Sequence, residues 1–165
     1  MLITFRHISG SYRTRLLLSS DSDNEIILQF DTGAVNTVIS IDTAFGGDYS
    51  KIQKVRQEIE QEIQSGIYDR YTFHSASGHE MYAVLVRAEN VLIGNEKISE
   101  FYFYMIYNID SSIALLGDDF LAYCQYVHDI KGDIEIERYY PPKTYIDKNG
   151  NDISFTRAVN IIKLL

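Results

Sequence analysis

The chain has 165 residues, of which 45% are apolar and 23% charged, and its formal net charge is −8. That length suits one domain with a real core, and the acidic balance excludes a phosphate-tracking nucleic-acid face and disfavours an anionic membrane surface. No apolar run reaches the length of a membrane span, the segment from Met1 to His7 lacks a secretory-signal pattern, and Cys124 has no second cysteine to pair with, so the expected location is a reducing cytoplasm.

Residues 2–8 and 12–19 are β-rich runs split by Ser9-Gly10-Ser11. Asp21-Ser22-Asp23-Asn24 reads as a polar turn, because the Gly and distal Glu of a calcium loop are missing. An apolar run over 26–30 then delivers Asp31 onto the tight turn Asp31-Thr32-Gly33, and a second β-type run follows to Ser40. Gly46-Gly47-Asp48 lacks the Gly-Lys-Ser/Thr ending of a phosphate loop and predicts a turn.

Ile52, Val55, Ile59 and Ile63 recur at helical spacing, which predicts a helix over 50–63. Ser50 with Gln53 fits a capping box, and Gly66 fits a stop. The apolar stripe should face the core, with Glu58, Glu60 and Glu62 on the solvated side. Strand signals return over 71–75, 81–87, 90–93 and 98–109, interrupted by hairpin signals at Ser75-Ala76-Ser77-Gly78-His79 and Gly94-Asn95. Residues 112–116 read as a strand ending in Gly117, and 118–124 as a short helix with acids in its first turn. Residues 126–138 read as a hairpin turning at Lys131-Gly132-Asp133. Tyr139-Tyr140-Pro141-Pro142 marks the expected edge of the compact part, giving a domain over 1–140 and an extension over 141–165 of unassigned role. The extension carries a turn signal at Asn149-Gly150 and a modest helix signal with Phe155, Val159 and Ile162 in phase.

Asp31 is the residue that calls for explanation. A carboxylate at the end of an apolar strand is costly to bury unless it is paired. A polar turn joining two strands is the plain alternative. His7, His74, His79 and His128 fall in no metal-ligand spacing with Cys124, so neither a metal nor a cofactor is expected. Ser77 beside His79 belongs to a hairpin tip rather than a nucleophile elbow, and Cys124 reads as packed rather than reactive.

Two motifs act together: Phe30-Asp31-Thr32-Gly33-Ala34 with its following strand, and Ile113-Ala114-Leu115-Leu116-Gly117-Asp118-Asp119-Phe120-Leu121. Their pairing resembles the retropepsin-like aspartic peptidases, the group that includes the retroviral proteases, and order and spacing match from about Leu2 to Arg138. The resemblance implies an all-β-dominated closed barrel with a flap hairpin, here with one inserted amphipathic helix and one short C-terminal helix. It assigns Asp31 as the catalytic acid and Thr32 as the residue whose hydroxyl bonds across a subunit interface. Gly33 becomes the turn glycine and Ala34 the small residue beside the dyad. Ala76, Ser77, Gly78 and His79 fall at the flap tip over bound peptide, and Leu115, Leu116 and Gly117 on the supporting strand. Two positions depart from the retroviral pattern: Val35 stands where an acid usually helps hold the substrate, and Asp118 where an Arg usually follows the glycine.

Peptide hydrolysis by this chemistry needs one carboxylate to accept a proton from water and one carboxyl to donate a proton to the scissile carbonyl. The chain has a single Asp-Thr-Gly, so the second acid is expected from a symmetry mate in a homodimer. Ala34 cannot donate the hydrogen bond that a Ser would, which predicts a working range nearer neutral than that of digestive relatives. The expected function is an aspartic endopeptidase acting on an extended peptide or protein. The alternative is a non-catalytic dimeric module of the same fold that binds peptides or assembles a complex. A third, an unrelated β-sheet interaction domain, would leave Asp31 on an exposed turn.

Overall fold

The computed structural model describes residues 1–153 and 156–165. Period-two burial marks β1 (Ile3–Ile8), which buries Ile3 and Phe5, and β3 (Ile26–Phe30), which buries Ile26, Leu28 and Phe30, while β2 (Ser11–Leu17) between them buries Leu16 and is otherwise half-buried. The remaining elements are β4 (Val38–Ser40), α1 (Ile41–Ala44), α2 (Tyr49–Gln64), β5 (Tyr71–His74), β6 (Glu80–Ile93), β7 (Glu96–Ile106) and β8 (Ala114–Leu116). After these come α3 (Asp118–Leu121), β9 (Cys124–His128), β10 (Ile134–Tyr139), β11 (Val159–Asn160) and a closing 3-10 turn (Ile161–Lys163).

Six strands close on themselves. β2 pairs with β3, β3 with β8, β8 with β4, β4 with β7, β7 with β6, and β6 returns to β2 through Leu16↔Ile93. The fold is therefore an all-β closed barrel with a few helices, as expected. Closure leaves no free edge within that ring. The β9–β10 hairpin extends the sheet by pairing with β1.

The sequence suggests two strands over 81–87 and 90–93, but β6 is continuous. Asn90, a non-glycine residue at φ 56, lies between the pairs Glu89↔Glu100 and Val91↔Ile98, and the register is the same on both sides. The end of β6 pairs with β2 at Leu92 and Ile93, which closes the barrel. Both faces of β6 and β7 are covered. Val84, Val86, Ala88, Phe101, Phe103 and Met105 enter the main core, while Ala83, Leu85, Tyr104 and Ile106 pack with Tyr71 and Ile153 in a second cluster. Strands buried on both sides read as unbroken apolar runs rather than alternating ones.

Helix α2 buries Ile52, Val55 and Ile59 against the main core, with Ile63 packed beside them. Its cap differs from the expected one. The helix begins at Tyr49, so Asp48 is the N-cap and its carboxylate accepts from the Lys51 N–H at 3.2 Å, while Ser50 lies within the first turn. Gly66, at φ +75, follows the C-cap as expected.

Near the end, the expected helix is replaced by strand β11 and the 3-10 turn. Val159 and Ile161 are buried and Ile162 is exposed, while Phe155 lies outside the described residues. The reason is tertiary. One edge of β6 is paired with β5 at its start and β2 at its end, and β11 fills the gap between by pairing parallel at Val86 and Arg87. Among the described residues no helix is long and apolar enough to cross a membrane.

Candidate active site

β3 and β8 run parallel with Phe30 opposite Leu116, so their following turns leave the barrel side by side. The Asp31 N–H donates to the Leu116 carbonyl at 3.0 Å, and the Ala34 N–H donates to the Asp31 carbonyl at 3.2 Å. The Gly33 N–H donates to Asp31 Oδ1 at 2.9 Å. A Cβ on Gly33 would stand 3.1 Å from that same oxygen, so the turn presses the backbone against the carboxylate. Asp31 is half-buried, and Thr32 and Gly33 are exposed beside it. This is a strand-end acid held by its own loop and by the neighbouring strand, rather than a freely solvated turn.

The second motif buttresses the first. The Asp118 N–H donates to the Ala34 carbonyl at 2.8 Å and the Asp119 N–H to the Val35 carbonyl at 3.1 Å. A Cβ on Gly117 would lie 2.5 Å from the Asn36 carbonyl oxygen and 2.8 Å from that of Ala34, so the two loops meet at a distance only glycine allows. Gly117 has an ordinary φ of −101, and space alone demands the glycine. Leu115 pairs with Gln29 and Val38, and Leu116 with Phe30.

The sequence reading missed the polar hub beneath this contact. Thr37 is fully buried. Its N–H donates to Asp119 Oδ2 at 2.8 Å, its hydroxyl donates to Asp119 Oδ1 at 2.6 Å, and the hydroxyl oxygen accepts from the Gly117 N–H at 3.1 Å. Burial raises the Asp119 carboxyl above its ordinary value, opposed by the Thr37 hydroxyl and amide and by the Asn36 side chain. The chain lacks the Arg expected after the supporting glycine; here a carboxylate one residue later ties α3 to the Asp31 loop. A signal existed in the second acid at the start of an otherwise apolar helix, but its partner is 82 residues away in sequence.

β5 and β6 form the expected hairpin. At its tip the Gly78 N–H donates to the Ser75 carbonyl, the Ser75 N–H to the His79 carbonyl, and Gly78 takes φ +85. Ala76, Ser77, Gly78 and His79 are all exposed. Ser75 and Ser77 share a hydroxyl contact of 2.9 Å. A groove begins three residues past Asp31, between Ala34, Val35, Asn36 and Val38 on one wall and Thr72, Phe73 and His74 of β5 on the other. Lys148, from the C-terminal segment, also lines it. Val35 is 75% exposed here.

A crystal structure of a retropepsin-like aspartic protease from Rickettsia conorii is similar to this chain, with 21% identity and a TM-score of 0.50, covering 82% of this chain and 96% of that one. The chain has the retropepsin-like fold. No protein-family model and no curated protein matches its sequence. Within the retropepsin-like fold seen here, Cys124 opens β9 instead of ending the helix as expected. Its thiol donates to the Phe120 carbonyl at 3.5 Å, and burial pushes it up to about 12, as suits a packed rather than reactive cysteine.

Proposed function

We propose that the chain is an aspartic endopeptidase that acts as a cytoplasmic homodimer, with Asp31 of each protomer forming the catalytic dyad. The observation that carries this reading is the buttressed Asp31-Thr32-Gly33 turn: its acid accepts from the Gly33 N–H and its backbone is tied to Leu116 at the end of a closed barrel. The similarity to a retropepsin-like aspartic protease supports the same reading.

Two carboxyl groups facing each other share one proton, because both cannot ionise cheaply at short range. The ionised Asp31 removes a proton from water as the water oxygen attacks the scissile carbonyl carbon. The protonated Asp31 gives its proton to the carbonyl oxygen. Collapse of the tetrahedral diol returns a proton to the amine leaving group and restores the shared state. Thr32 is exposed at the turn, suited to a hydroxyl contact with its partner, and the flap tip over 76–79 is suited to covering the peptide. Gly33 and Ala34 leave room for the substrate backbone beside the acids. With Ala34 contributing no hydroxyl, the pH optimum is expected nearer neutral than in digestive aspartic peptidases.

The test is cleavage of a peptide library by the full chain and by Asp31→Asn, with sedimentation of both. Loss of turnover by roughly 10²–10⁴ in a variant that still dimerises is the expected result. Mixing equal amounts of the two should cut turnover per wild-type subunit by about half, since random pairing spoils half of the wild-type subunits. Full activity in a sedimenting monomer would overturn the dyad. Peptide binding unchanged by Asp31→Asn, with no turnover in either protein, would favour the non-catalytic module.

A further inference from the structure

The residue in the groove that neither motif accounts for is Lys148. The C-terminal segment delivers it from outside the barrel, and four contacts fix where it stands. The Lys148 N–H donates to Tyr104 Oη at 2.7 Å. The preceding residue, Asp147, is 5% exposed, and its carboxylate accepts from Tyr71 Oη at 2.8 Å and from the N–H groups of Asn149 at 2.9 Å and Asn151 at 2.8 Å. Tyr71 begins β5, the strand that carries Phe73 and His74 into the groove. The segment is thus clamped to the same strand that forms one wall, and Lys148 Nζ stands 4.8 Å from the centre of the Phe73 ring.

The chain carries −8 overall, yet the residues lining the groove include one cation, Lys148, and no acid; His74, also in the lining, stands 4.0 Å from the Glu80 carboxylate. Lys148 is exposed and its ammonium contacts a ring face rather than a carboxylate among the described residues. Among those residues, β5 pairs with β6 alone, so its second edge is open to another extended strand. A peptide added along that edge gains main-chain hydrogen bonds from Thr72 to His74 and lays alternate side chains towards the groove. Val35, Val38 and Phe73 offer apolar contact, and the cation stands against the Phe73 ring.

We propose that Lys148 is a specificity-determining residue: it selects extended peptides that carry an Asp or Glu side chain within a few residues of the scissile bond. This rests on the peptidase reading above and names its substrate class. The carboxylate pairs with Lys148 Nζ while the peptide backbone adds to β5. Position Val35, where an acid would otherwise repel such a side chain, is neutral and consistent with that preference.

The experiment uses the full chain, its Lys148→Met and Lys148→Glu variants, and a proteome-derived peptide library read by mass spectrometry both for cleavage and for retention on immobilised protein. The wild type should favour acidic over neutral side chains at one fixed subsite by roughly two- to five-fold, the worth of a solvent-exposed ion pair. Lys148→Met should abolish that preference, and Lys148→Glu should reverse it towards Lys and Arg. Cleavage without any acidic preference, or a preference that survives Lys148→Glu, overturns this inference and leaves the peptidase standing. Acid-selective retention lost in Lys148→Glu, without cleavage, supports the groove assignment while the catalytic reading falls. Neither cleavage nor selective retention overturns both.

Discussion

Thr37→Val tests whether the buried hub beneath the Asp31 loop holds the site together. Valine keeps the shape of threonine and removes only the hydroxyl. The loss is a 2.6 Å bond to the Asp119 carboxylate, and the buried Gly117 N–H is left without its acceptor. A hydrogen bond to a charged group contributes about 1.5–3 kcal/mol, and an orphaned buried donor costs about 1–3 kcal/mol. Since the two share one hydroxyl and do not simply add, we predict a loss of about 3 kcal/mol in urea denaturation, or roughly 6–12 °C in Tm for a chain of this size. Thr37→Ser, which keeps the hydroxyl, should recover most of it. The deficit should also depend on pH. Burial raises the folded-state pKa of Asp119 above 3.8, and the Thr37 bonds oppose that rise, so the variant's value lies higher still. A group raised on folding contributes stability that is fully present below its unfolded pKa and is lost as pH rises through its folded pKa. The gap between Thr37→Val and wild type should therefore widen from about pH 3 to about pH 7. A deficit under about 1 kcal/mol at neutral pH, or one that does not change with pH, would refute the argument.

Two further outcomes are expected. Gly117→Ala places a methyl group 2.5 Å from the Asn36 carbonyl oxygen, against backbone that cannot swing aside. It should cost about 1–3 kcal/mol and most of any peptidase turnover, measured by denaturation and peptide cleavage; a variant equal to wild type in both would mean that the loops need not touch. Cys124, its thiol pushed up to about 12 by burial, should resist a thiol reagent at about pH 8 in the native state and react on unfolding. Fast native-state labelling would show that the thiol is not packed.

Local pattern reveals much of this molecule. Alternation in β1 and β3, the helical stripe of Ile52, Val55 and Ile59, and the turn at Asp31 to Gly33 are all readable residue by residue, because each depends on neighbours within a few positions. The candidate acid is readable for the same reason: a carboxylate after an apolar strand conflicts with simple burial. Everything that depends on partners far along the chain is hidden. Val159 and Ile162 carry a helical phase, yet β11 forms because the edge of β6 has backbone groups to satisfy between its pairings with β5 and β2. Asp119 looks like one more acid in the first turn of a short helix, and only its approach to Thr37 makes it the anchor of the loop. Lys148 reads as an ordinary lysine before an Asn-Gly turn until Asp147 meets Tyr71 and swings it to the groove wall. Periodicity and turn chemistry are written into adjacent residues, whereas pairing an orphan strand edge, a buried carboxylate or a groove wall requires two distant segments to meet, and that meeting exists only in the folded chain.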